Sequence, residues 1–206
     1  MAVKKKEIKA IVFDIGSVVT KPEKMKDSEV LAKTYKINRK KFLKAILNKW
    51  DKMIAGKISM KDYYNSITKQ LKIKGIGEFE RRWKLSINRR TEINKSTQSL
   101  IKDLKKNYKT IAFTNVSKDF KEMGIKKGIY KFFDMKICSC DEGMKKPRKN
   151  FYELLLKRAK HKPQEMIFID DKKPNLMPAQ TLGIQTIHFK NAKQLKKDLK
   201  NRGVKL

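Results

Sequence analysis

Apolar positions along this chain change their spacing twice, and each change marks a boundary. Residues 8–13, Ile8-Lys9-Ala10-Ile11-Val12-Phe13, form a short run rich in Ile and Val that leads through Asp14-Ile15 into Gly16. Such a run, closed by glycine, predicts a buried parallel strand. From about residue 28 to about residue 106 the spacing becomes helical, with stripes at Val30, Leu31 and Tyr35, at Phe42, Ile46 and Trp50, and at Tyr63, Tyr64, Ile67 and Leu71. These stripes predict successive short helices with no strand among them. Gly56 and Ser59 read as a turn and a helix N-cap, with Asp62 nearby, and Gly75-Ile76-Gly77 reads as a break before a helix around Phe79 and Trp83.

Strand-like runs then return at residues 110–115, 132–140, 166–171 and 185–189, with helices between them at 151–159 and 178–182. Residues 191–206 read as a basic closing helix that frays. Strand and helix alternating at this distance predict an α/β fold with a doubly wound parallel sheet. The long helical stretch predicts an all-helical cap inserted after the first strand. The expected division is a core of residues 1–20 and 98–206 and a cap of residues 21–97, with no internal repeat or low-complexity linker.

Composition adds less than the pattern does. At 206 residues and 39% hydrophobic, the chain is long enough for one core and an inserted subdomain. Its 53 Lys+Arg against 21 Asp+Glu give a net charge of +32, a field that attracts phosphates and nucleic acid at low salt. Nearly all the excess is lysine scattered over the whole length, which favours solvated helix faces over a dedicated polyanion surface. Cys138 and Cys140 stand two apart on a strand-like segment; with only two histidines present they make no zinc set and read as reduced thiols of a cytoplasmic protein. The basic residues 1–6 precede too short an apolar run for a signal peptide, and no segment reaches the length of a membrane span.

Three of the strand-like runs end in polar residues that a core rejects: Asp14, Thr114-Asn115 and Asp170-Asp171. In a parallel sheet the strand ends point the same way, so these groups converge on one edge. A lone Asp14 has the plain explanation of capping its turn. Converging carboxylates, however, repel unless a cation sits between them, and oxygen ligands suit a hard metal, Mg²⁺ above all. Lys146, in Gly143-Met144-Lys145-Lys146-Pro147, brings a positive charge from a loop. A carboxylate nucleophile, a hydroxyl donor, a fixed lysine and a metal form a site for attack on an anionic substrate.

Four stretches in this order, FDIGSVVT, FTNVS, GMKKP and FIDDKKPN, resemble the motifs of the haloacid dehalogenase superfamily. Within it the chain looks closest to the branch of small sugar-phosphate phosphatases and the phosphatase domain of bifunctional epoxide hydrolases. The resemblance implies that Asp14 is the nucleophile and forms an aspartyl-phosphate. Mg²⁺ would be held by Asp14, the Gly16 carbonyl and Asp171, with Asp170 as a further fourth-motif carboxylate. Thr114 and the amide of Asn115 would bind phosphoryl oxygens, Lys146 would neutralise charge, and Asp170 and Asn175 would position metal waters and the loop. Ser17 would donate to the phosphate or serve as an ordinary turn residue. The implied partner is a small phosphorylated metabolite.

One departure stands out. Many phosphatases of this superfamily carry a second Asp two residues after the nucleophile, which protonates the leaving group and then activates water; here that position is Gly16. Three readings stay open: an easily expelled leaving group such as an anomeric sugar phosphate, a proton supplied by the cap, or an idle site on a basic protein that binds nucleic acid. A metal-free 2-haloacid dehalogenase is a further alternative, and the paired Asp170-Asp171 speaks against it. In the cap, Arg81, Arg82, Arg89 and Arg90 read as a solvated helix face or an anion clamp, and Trp50 and Trp83 as cap core. His161 and His188 do not read as catalytic.

Overall fold

The computed structural model describes residues 7–22 and 27–206, without the side chains of residues 27, 87, 89 and 90. The basic residues 1–6 and the side chains of Arg89 and Arg90 therefore lie outside the described residues. Five parallel strands carry the fold: β1 (Ala10–Phe13), β2 (Lys109–Thr114), β3 (Met135–Cys138), β4 (Met166–Asp170) and β5 (Gln185–His188), in the order β3-β2-β1-β4-β5. The order reverses beside β1, which opens a crevice between the ends of β1 and β4. In register, Phe13 lies between Ala112 and Ile169, so the residues that follow these three strands emerge side by side.

Both faces of the sheet are buried, which explains why the strands read as continuous apolar runs rather than alternating ones. On one face Ile11, Phe13, Ile167 and Ile169 pack on helices α6 (Lys95–Leu104) and α11 (Ala192–Asn201). On the other, Ala10, Val12, Phe113 and Phe168 pack on α9 (Lys149–Ala159) and α10 (Lys173–Thr181). Among the described residues five helices lie between β1 and α6: α1 (Asp27–Thr34), α2 (Arg39–Asn48), α3 (Trp50–Ile54), α4 (Met60–Leu71) and α5 (Ile76–Arg90). They hold a hydrophobic cluster of their own, with Phe42, Tyr63, Tyr64, Phe79 and Trp83 at its centre. Ser59 caps α4 by accepting from the amide of Asp62 at 3.0 Å.

The cap leaves and re-enters the core through a narrow neck. Thr20 and Ile93 form an antiparallel bridge, flanked by hydrogen bonds from Lys21 N to Glu92 O (2.8 Å) and from Asn94 N to Val19 O (2.9 Å). A second tie joins α3 to the short α8 (Ser139–Glu142). The Ser139 hydroxyl donates to the Ile54 carbonyl at 2.7 Å while accepting from the amide of Val116 at 2.9 Å. Gly56, at φ +67°, passes so close that a Cβ would stand 2.0 Å from the Cys140 carbonyl.

Five sequence expectations need correction. The strand at 132–140 is only Met135–Cys138, because residues before it are apolar through burial in a turn and those after it coil into α8. Cys140 thus lies on a helix rather than beside Cys138 on a strand; both are free and buried, and burial pushes their thiols up to about 12 and about 11. Helix α10 begins at Lys173, five residues ahead of the expected start, because Pro174 falls in the first turn, where its missing N–H costs nothing. Gly77 lies inside α5, so the break ends earlier than the glycine pair suggests. The tail does not fray: Asn191 caps α11, and Leu195, Leu199 and Val204 are buried in the core. Helix α7 (Lys118–Lys126), between β2 and β3, had no counterpart in the sequence pattern. Among the described residues no helix is long and apolar enough to cross a membrane.

Candidate active site

The first residue past β1 is Asp14, and it meets Lys146 from the loop before α9. Lys146 Nζ lies 2.7 Å from Asp14 Oδ1, 2.7 Å from Asp170 Oδ2 and 3.0 Å from the carbonyl of Phe113. Three acceptors match the three protons of one ammonium. Its nitrogen also lies 5.5 and 5.3 Å from the ring centroids of Phe113 and Phe168. Burial by itself would lower the lysine; the charges of Asp14 and then Asp170 outweigh it and hold Lys146 above its ordinary value. The ammonium is therefore a permanent charge of the site.

Asn115, the residue after β2, fixes the loop that carries this lysine. Its amide nitrogen donates to the Lys146 carbonyl and its oxygen accepts from the Lys146 amide, both at 2.8 Å. The sequence suggested a substrate-binding amide at Asn115; the side chain adds a positioning role that no sequence signal foretold. Thr114, at the end of β2, is buried beside it and lines the same cavity.

Two adjacent carboxylates at the end of β4 differ sharply. Asp170 is fully buried and saturated: it receives Lys146, the amide of Lys172 at 2.8 Å, and Asn175 Nδ2 at 3.1 and 3.0 Å. Asn175 sits in the first turn of α10, not in a loop, and acts on the carboxylate directly. Asp171 instead has a buried Oδ1 with no hydrogen-bond partner. Burial, and then the charges of Asp14 and Asp170, push its carboxyl up to about 6. Burial likewise raises Asp14, against the pull of Lys146.

Asp14, Asp170 and Asp171 each offer an oxygen within 4.8 Å of the others. Lys146 touches the first two, so the group keeps surplus negative charge and one orphaned oxygen, the donor set a hard divalent cation satisfies. These residues fit Mg²⁺. Gly16 and Ser17 border the same space, Ser17 at φ 60° with its amide on Thr20 Oγ1 at 3.3 Å. At Gly16 a Cβ would meet only Asp14 Oδ2, at 3.6 Å, so neither space nor backbone demands glycine there.

These groups line one end of a cavity of about 510 Å³. The same lining includes Trp50 and Ile54 from the cap and Val116 and Phe120 from the core. Trp50 thus belongs to the cavity as well as to the cap's cluster, whereas Trp83 is buried in that cluster. Arg81 and Arg82 both pair with Glu78 along the exposed face of α5 and do not border the cavity. His188 reaches the Asp171 carbonyl at 3.0 Å without bordering it.

Known proteins resemble this chain in sequence and in fold. Over 185 residues, 88% of this chain and 89% of the relative, the sequence is 29% identical to a sesquiterpene phosphatase of Aspergillus oryzae. It is 42% identical over 67 residues to bifunctional epoxide hydrolase 2 of Mus musculus, a match that spans 32% of this chain and only 12% of that protein. Among solved structures, a HAD family enzyme of Bacteroides thetaiotaomicron, in complex with magnesium and inorganic phosphate, superposes with a TM-score of 0.75. It is 22% identical, and the match covers 89% of this chain and 94% of that one. The fold is also that of an L-2-haloacid dehalogenase of Xanthobacter autotrophicus, at a TM-score of 0.63 and 15% identity over 97% of this chain and 85% of that one. Residues 8–183 match the haloacid dehalogenase-like hydrolase family, and the chain belongs to it.

Proposed function

We propose that this hydrolase is a Mg²⁺-dependent phosphatase of a small phosphomonoester, working through an aspartyl-phosphate on Asp14. The observation that carries the reading is the surplus of carboxylate at the end of the sheet: three acidic groups, one ammonium on two of them, and a buried Asp171 oxygen without a donor. A dehalogenase reaction has no use for that surplus, which would repel both the nucleophile and an anionic haloacid. A relative named as a phosphatase, aligned over most of both chains, points the same way.

Lys146 holds Asp14 Oδ1 and leaves Oδ2 on the Gly16 side. Attack on phosphorus forms the Asp14–phosphate bond and breaks the bond to the alcohol oxygen, which takes a proton from solvent as it leaves, position 16 carrying no acid. Water then attacks phosphorus and restores Asp14, releasing inorganic phosphate. Asp14 and Asp171 would hold Mg²⁺ together with the Gly16 carbonyl, while Asp170, spent on Lys146, Lys172 and Asn175, positions the site. Bound there, the metal supplies charge stabilisation to the phosphoryl oxygens. Thr114, the Asn115 amide and Ser17 would receive those oxygens.

Phosphate release measured with Mg²⁺, with EDTA and in Asp14→Asn tests the reading. The variant is expected to lose turnover by about 10⁴-fold or more, and EDTA to abolish it. Turnover indifferent to both would sink the proposal. Nucleic-acid binding that ignores both and falls steeply with salt would instead favour a polyanion-binding role for the lysine-rich surface.

A further inference from the structure

We infer that the alcohol part of the substrate is a hydrocarbon rather than a sugar, an inference that rests on the phosphatase reading of this site. The reason lies in what the cavity has left to offer once its own hydrogen bonds are counted. Both ends of the Asn115 amide are spent on the backbone of Lys146. Asn175 gives its nitrogen to Asp170. Thr20 Oγ1 serves the Ser17 amide and the Ile15 carbonyl, each at 3.3 Å. Ser117 Oγ accepts from the amide of Phe120 at 3.2 Å as the cap of α7. Thr114 and Ser17 lie at the phosphoryl end. A hexose brings several hydroxyls, and each one buried without a partner costs affinity.

The far wall suits the opposite chemistry. Trp50 and Ile54 line the cavity from the cap and Val116 and Phe120 from the core, and the indole N–H of Trp50 is the one polar side-chain group among these four. The two lysines on that side of the lining are engaged: Lys145 with Asp51 at 2.6 Å, and Lys21 with Glu92. Lys172 adds positive charge beside Asp171, where it suits phosphate oxygens rather than a neutral ring. An anionic head at the sheet edge and an apolar body against Trp50, Ile54, Val116 and Phe120 suit the charged and the apolar parts of this lining.

A homologous series separates this inference from the reading beneath it. Binding of ethyl-, butyl-, hexyl- and octylphosphonate to the Mg²⁺-loaded protein is measured by calorimetry, alongside the 6-phosphonate isostere of glucose. Affinity should rise about three-fold per added methylene until the wall is covered. The glucose isostere should bind no tighter than ethylphosphonate. Trp50→Ala should flatten the series, weakening octylphosphonate more than ethylphosphonate. A flat series in the unaltered protein, or a glucose isostere tighter than octylphosphonate, would overturn the inference, and so would failure of every phosphonate to bind. Phosphate release from the matching alkyl phosphates, compared with Asp14→Asn, reports on the phosphatase reading alone. A binding gradient without such turnover would sink that reading and leave the hydrocarbon seat standing.

Discussion

The two walls of the cavity are built on opposite plans. At the sheet edge the central polar groups are charged or amide-bearing and locked to neighbours: Lys146 to Asp14 and Asp170, Asn115 to the Lys146 backbone, Asn175 to Asp170. At the cap the wall is apolar and is joined to the core at a few points, notably Ser139 on Ile54 and the neck at Thr20 and Ile93. The first wall takes its geometry from strand register, which cannot slip by a residue without emptying the core. The second takes its geometry from helices that pack mainly on one another. The contrast teaches that reactivity and selectivity here rest on separate sets of contacts.

Breaking the sheet-edge wall should have the largest effect. Lys146→Met leaves Asp14 and Asp170 facing each other unpaired, and urea unfolding in EDTA should show a loss of about 3–5 kcal/mol. A loss below about 1 kcal/mol would mean that the ammonium is not what holds the carboxylates together. Next comes a change in the one place where the wall lacks a group. Gly16→Asp has room beside Asp14 Oδ2, and it should raise turnover of esters with poor leaving groups by about 10²-fold or more. Unchanged turnover would place the acid elsewhere, in the cap. The join between the walls comes third. Ser139→Ala removes the bond to Ile54 O and leaves the Val116 amide without its side-chain acceptor, at a cost of about 1–3 kcal/mol in thermal or chemical unfolding. Turnover should fall less than it does in Asp14→Asn.

The smallest effect is a pH dependence to which Asp171 contributes. Burial and its acidic neighbours hold its carboxyl at about 6, above the ordinary 3.8. Between those values the folded metal-free protein keeps a proton that the unfolded chain has lost. The resulting stabilisation is full below about pH 4 and disappears as pH rises through about 6. Mg²⁺ takes the ionised form. The rise in Tm on adding Mg²⁺ should therefore be larger at pH 7 than at pH 5, and equal rises would remove Asp171 from the ligand set.

The sheet edge was the more legible wall in the sequence. Asp14, Thr114 and Asp170-Asp171 stand directly after apolar runs, where a core has no reason to place them, and Lys146 sits in a motif at the right distance along the chain. Asn115 was visible as a polar strand end, but its clamp on the Lys146 loop joins residues 31 apart and has no local pattern. The cap wall was hidden for another reason. Trp50 and Ile54 belong to an apolar stripe that packs the cap, and periodicity does not say which end of a stripe opens on a cavity. Prolines at 174 and 178 concealed the start of α10, and so the helical placement of Asn175. Apolar residues around Tyr130 and Phe133 suggested strand because burial, not extension, put them there.

The neck has a consequence for how such a chain can change. Since Thr20 and Ile93 lie side by side, the core meets the whole cap as though it were one closed turn. Lengthening a loop whose ends are already fixed costs little, about 0.6 kcal/mol for each doubling. Helices can therefore be added to, shortened in or exchanged within that loop while β1 and β2 keep their register and the acidic cluster its spacing. The bridge is a graft point: on one side of it the reaction is conserved by architecture, and on the other the choice of substrate is free to drift.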